Sequence, residues 1–183
     1  MNLRSLKITA QMNSILPIGQ LLRTVGNVEG RKKLQKLVHL LQHFGAPFGF
    51  RYGYLHFGPY SSDLQSQLQV FEEEGLIKET PVQGFYRTSR FEAEPELNDL
   101  VSRVAGDAEP EWSPLAARLS EKSGSELEAL STIIFLREGG KSGEALKRSF
   151  CDLKPKLAPD FDTKLQEVEA LEAEFSGLRP TAA

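Results

Sequence analysis

Arg31, Lys32 and Lys36 fall along one predicted helix, and Lys78, Arg87 and Arg90 lie on or beside a predicted hairpin. Cations placed in this way can meet DNA phosphates on either side of an inserted helix and release condensed counterions. Between the two groups, Ser62, Gln65, Ser66 and Gln69 are expected on the outward face of another helix. Glutamine can read adenine in the major groove through paired hydrogen bonds. The charge pattern of that helix argues the other way, because its exposed face carries no Lys or Arg and it ends in Glu72, Glu73 and Glu74. Phosphates would repel such an end.

Other residues have the types needed for chemistry but not the company. His39 and His43 are four apart on one helical face, a spacing that lets two imidazoles share a metal ion. Leu40 stands where a metalloprotease helix carries its glutamate base, and His56 could be a third ligand only if the fold brought it over. Solvent-facing histidines are the plainer reading. Gly140-Lys141-Ser142 ends like a phosphate loop, but Phe135 occupies the place of the required first glycine and a helix precedes it. Cys151, between Phe150 and Asp152, sits in an apolar and locally anionic setting that would raise a thiol pKa, as suits a buried structural cysteine. The remaining carboxylates lie on charged runs that normally face water. No catalytic constellation emerges, and neither a cofactor nor an enzymatic activity is expected.

The elements that must position these residues follow from periodicity. Ile15, Ile18, Leu21, Leu22 and Val25 recur at helical spacing and stop at Gly26. A second helix, about Arg31 to Phe44, buries Leu34, Leu37, Val38, Leu41 and Phe44, leaving Lys32, Gln35, Lys36, His39, Gln42 and His43 on the opposite arc for solvent or a ligand. Phe48, Phe50, Tyr52 and Tyr54 alternate as a strand does, and Gly58-Pro59 ends it. Ser62 and Gln65 have capping-box spacing, so a helix from Ser62 to Glu74 follows, with Leu64, Leu68 and Phe71 buried. Leu76 to Pro81 and Phe85 to Thr88, joined through Val82-Gln83-Gly84, read as a β-hairpin.

Helix, helix, short strand, helix, hairpin is the order of a winged helix-turn-helix domain over residues 15–90. Residues 91–113 hold a helix marked by Leu97, Leu100, Val101 and Val104, and a linker from Gly106 to Pro114. Residues 114–183 read as a helical region. A capping box at Ser125 and Glu128 opens a buried central helix that runs to Arg137, and helices follow at about Gly143 to Leu153 and Asp160 to Phe175. The expected class is mainly α with a small β-hairpin, an α+β chain whose winged helix precedes a helical extension.

Three blocks carry a family resemblance: Gly30-Arg31-Lys32-Lys33-Leu34-Gln35-Lys36-Leu37, Phe57-Gly58-Pro59-Tyr60-Ser61 and Gly75-Leu76-Ile77. They resemble the YwgA family of bacterial proteins and, more distantly, the Panacea-type antitoxin domain. Fainter echoes occur at Ser131-Thr132-Ile133 and Leu153-Lys154-Pro155. The Panacea likeness implies neutralisation of a toxin through protein contacts, and hence regulation rather than catalysis.

Composition sets the outer bounds. The chain has 183 residues, 40% of them hydrophobic, enough apolar material for one core or two small ones. A single cysteine allows no internal disulfide and fits a reducing cytoplasm. No apolar run approaches the ~20 residues of a membrane span. The net charge of -3 is unevenly spread. Residues 1–90 carry 11 Lys+Arg against 6 Asp+Glu, a balance of +5, and residues 91–183 carry 11 against 19, a balance of -8. The expected function is a regulator binding double-stranded DNA, with dimerisation through the acidic helices plausible. The alternative is an antitoxin or adaptor module whose partner is a toxin-like protein.

Overall fold

Residues 15–82 and 88–178 are described by the computed structural model. Helix α1, over residues 15–25, buries Ile18, Leu21 and Leu22 and ends at Gly26, whose φ of 75° supplies the left-handed turn expected of it. The chain then forms β1, Asn27–Glu29, an element that periodicity does not reveal because only Val28 of its three residues is buried. Gly30 turns the chain from the sheet into α2, Arg31–His43; its φ is 98° and its amide donates to the Ser89 carbonyl at 2.7 Å.

Helix α2 has the predicted apolar stripe, but its opposite arc is not open. Every residue from Leu34 to Leu41 is buried, including Gln35, Lys36 and His39. A second layer covers that arc: helix α6, Gly124–Glu138, and a hairpin formed by β2, Gly53–Leu55, and β3, Gly58–Tyr60. The hairpin corrects two expectations. Phe48 and Phe50 are buried in an irregular segment rather than in a strand, with the Phe50 amide and carbonyl both bound by the Gln42 side chain at 2.8 and 2.7 Å. Gly58-Pro59, expected to end the strand, is instead the return strand after the two-residue turn His56-Phe57.

Helix α3, Ser62–Glu73, buries Leu64, Leu68 and Phe71 as predicted, but its cap is Ser61, whose hydroxyl accepts from the Leu64 amide at 3.2 Å. Strands β4, Ile77–Val82, and β5, Thr88–Ala93, pair antiparallel, and β1 adds to β5 with Val28 opposite Phe91, giving the order β1-β5-β4. The second strand thus begins where the sequence reading ends it. The expected strand residues 85–87 and most of the expected turn lie outside the described residues.

Helix α4, Pro95–Ala105, buries Leu97 and Val101 but leaves Val104 60% exposed. Of the stretch expected as a linker, residues 106–109 and 111 are exposed, whereas Trp112 and Ser113 are buried, with Trp112 5.7 Å from the Phe48 ring, and Arg23 donates to the Gly106 carbonyl at 3.3 Å. Helix α5, Ser113–Ser120, packs on α2, and helices α7, Gly143–Leu153, and α8, Phe161–Glu174, pack on α6. The capping box of α6 is Ser123 with Glu126, two residues before the expected pair. One apolar cluster runs from Leu37 through Trp112 and Ile133 to Phe150 and Leu171, so all three sequence segments share a core. The fold is mainly helical with small antiparallel sheets, the α+β class expected. Among the described residues no helix is long and apolar enough to cross a membrane.

Candidate functional site

The predicted cationic surface is only partly free. Arg31 forks onto Glu79, with Nε donating to Oε1 at 2.9 Å and a second bond to Oε2, and this pairing holds its guanidinium pKa above the ordinary value. Arg90 donates to Glu29 Oε1 through Nε at 3.2 Å and through a terminal nitrogen at 2.6 Å, across the β1–β5 pairing. Lys32 is exposed, with its ammonium 3.0 Å from the centre of the Phe57 ring. Lys78 is exposed on β4, and Arg87 lies outside the described residues. On α3, Ser62, Ser66 and Gln69 are exposed and Gln65 is half-buried, while the Gln69 amide donates to Glu73 at 3.0 Å.

Lys36 departs furthest from expectation. It is 3% exposed because α6 and the β2–β3 hairpin close over its side of α2, and its ammonium donates to the Pro59 carbonyl. Burial is the main reason its pKa falls to about 8; Lys154 and Lys32 push it the same way and Glu128 opposes them. Lys154, just past the end of α7, is 6% exposed and donates to Glu128 of α6, with its ammonium 5.5 Å from the centre of the Tyr54 ring. Two ammonium groups are therefore buried beside one carboxylate. The Thr132 hydroxyl and the Tyr54 hydroxyl are buried nearby on α6 and β2 without hydrogen-bond partners.

His39 is also inside, and His43 is half-buried. His39 is 3% exposed; its Nδ1 shares a 2.9 Å hydrogen bond with the Ser131 hydroxyl, and its ring meets Tyr52 edge-on at 4.6 Å. Burial lowers its pKa to about 4, against the pull of Glu138, so the ring is neutral near pH 7. His43 lies between carboxylates, Nδ1 at 2.6 Å from Glu138 and Nε2 at 3.2 Å from Glu172, and Glu172 in turn accepts from Arg137 at 2.8 Å. A cavity of about 280 Å³ is lined by His39, Gln42, His43, Phe50, Tyr52, Phe135 and Glu138. Desolvation raises the Tyr52 pKa, so this cavity offers neutral donors and acceptors beside the His43 and Glu138 pair. Among the described residues no group of three His, Cys, Asp or Glu has the arrangement of a metal site. His56 sits apart, exposed on the hairpin turn.

Gly140-Lys141-Ser142 is the exposed turn from α6 to α7. Cys151 is half-buried rather than fully buried. The sequence assigned no binding or catalytic role to Lys154, Glu128, Thr132 or Tyr54. One signal was present: Lys36, Gly58-Pro59, Thr132 and Lys154 each come from a different block of the resemblance, and the fold gathers those blocks at one place.

No family model matches the chain. An uncharacterized protein of Bacillus subtilis (strain 168), YwgA, is 27% identical over 150 residues, which cover 80% of this chain and 89% of that protein. A match of that length cannot be confined to residues 15–90.

Proposed function

We propose that this chain is a non-enzymatic regulatory module of winged-helix type that works by binding a partner protein, in the manner of an antitoxin or adaptor. The observation that carries the reading is the tip of the β2–β3 hairpin, where Leu55 is 56% and Phe57 48% exposed. Isolated surface apolar residues need no explanation. A leucine and a phenylalanine two residues apart, on a hairpin backed by α2 and α6, make a short rigid apolar knob. Aromatic anchors of this kind supply much of the affinity at protein interfaces. The charges favour the same partner class: Arg31 and Arg90 are held by carboxylates, Lys36 is buried, and α3 shows Asp63, Glu72 and Glu73 to solvent.

Duplex DNA is the second reading. It is favoured by the element order α1-β1-α2-β2-β3-α3-β4-β5 with sheet order β1-β5-β4, a winged-helix order with the β2–β3 hairpin inserted between α2 and α3, and by the exposed Lys32 and Lys78. One experiment separates the two. Wild-type protein and the Leu55→Ser/Phe57→Ser double variant are used for stoichiometric capture from the source organism, and both are titrated with duplex DNA at several salt concentrations. A protein partner captured by the wild type and lost by the variant supports protein binding. Duplex affinity that is unchanged in the double variant, but whose salt slope drops by about 1 in Lys32→Ala, overturns it in favour of DNA.

A further inference from the structure

We propose that Lys36, Lys154 and Thr132, gathered at Gly58, form a buried binding site for a small oxyanion, a carboxylate or phosphate group. The geometry points to one spot. A Cβ placed on Gly58 would stand 3.2 Å from Thr132 Oγ1, 3.5 Å from Lys36 Nζ and 3.7 Å from Lys154 Nζ. Three polar atoms from α6, α2 and the segment after α7 thus converge on a place that the glycine leaves without a side chain.

The walls hold more donors and more positive charge than their acceptors match. Thr132 is fully buried and its hydroxyl has no hydrogen-bond partner, a state that costs free energy unless an acceptor arrives. Lys36 has a backbone carbonyl as its acceptor, and Lys154 has Glu128. One carboxylate for two buried ammonium groups leaves an excess of positive charge away from water. An oxyanion seated beside Gly58 would accept from both ammonium groups and from the hydroxyl, in charge-assisted bonds that are about twice as strong as neutral ones. Glu128 limits the ligand, since its own charge repels a large polyanion. The β2–β3 hairpin, which carries Gly58, roofs the spot.

The test is thermal unfolding of the full chain with rising sodium phosphate and, separately, sodium acetate, ionic strength being held constant with chloride. A one-site ligand at about 100 times its dissociation constant should raise the wild-type midpoint by about 5–10 °C, and the rise should saturate. Thr132→Val removes the orphan hydroxyl without changing the volume, so it should fold at least as well while weakening anion binding about tenfold. Lys154→Met should remove the saturable rise. A response to phosphate alone or to acetate alone supports the site and identifies its oxyanion. Absence of a saturable rise with either anion, or an equal rise in wild type and Thr132→Val, overturns the proposal.

Discussion

Gln35 and Ser61 bind each other twice: the Gln35 amide donates to the Ser61 carbonyl at 2.9 Å, and the Ser61 backbone amide donates to Gln35 Oε1 at 2.9 Å. Both residues are buried, and Ser61 also caps α3. A single side chain in the middle of α2 therefore fixes where α3 begins. Gln35→Leu would leave the buried Ser61 amide unpaired, at about 1–3 kcal/mol, and would leave the Ser61 carbonyl only the Gln65 amide at 3.2 Å. The expected loss of stability is about 2–4 kcal/mol in urea denaturation; a loss near zero would mean that Gln35 does not hold the start of α3.

His39 makes stability depend on pH. Its pKa in the folded chain is about 4, below the ordinary 6.5, because burial disfavours the charged ring. As pH falls, the unfolded chain takes up the proton first. The contribution is therefore complete above pH 6.5 and is lost between 6.5 and about 4, by at most about 3 kcal/mol. Urea midpoints of wild type and His39→Gln at pH 7, 6 and 5 check this. The advantage of wild type should shrink with each step, and a constant difference would count against the assignment.

Lys36 gives a dependence of the same sign at alkaline pH. Its folded pKa of about 8 lies below the ordinary 10.5, so between those values the unfolded chain holds more protons and stability rises with pH. Relative to Lys36→Met, which does not titrate, wild type should gain up to about 3 kcal/mol from pH 8 to 10.5. Denaturation of both proteins at pH 7.5, 9 and 10 measures it; parallel curves would exclude a buried ammonium.

Trp112 is the chain's one tryptophan and lies in the core against Phe48. Its fluorescence reports the junction of the N-terminal and C-terminal parts, whereas far-UV circular dichroism reports all the helices. The shared core predicts that the two signals melt together. Trp112→Ala should cost about 3–5 kcal/mol, and separate transitions in wild type would show that the parts fold independently.

What the sequence made legible was the set of self-contained elements. Leu64, Leu68 and Phe71 on α3, and the glycine end of α1, could be read because a helix announces its buried face in its own spacing. The layer over α2 could not be read that way. Lys36 and His39 lie on a polar arc when α2 is considered alone, and it is the β2–β3 hairpin together with α6, some 90 residues later in the chain, that turns that arc inward. Strand β1 was hidden because three residues are too few to show a period, and its pairing with β5 is a long-range choice. The cap positions slipped by one or two residues because serines at 61 and 62, and at 123 and 125, can each cap the helix that follows.

Helix α6 packs against α2, α7, α8 and β3 and buries eight of its fifteen residues. No local opening of one neighbour bares it completely. Its backbone amide protons should therefore exchange with solvent only when the whole chain unfolds. The slowest-exchanging protons of the acidic half would then report the lifetime of the basic half as well, making one clock for both.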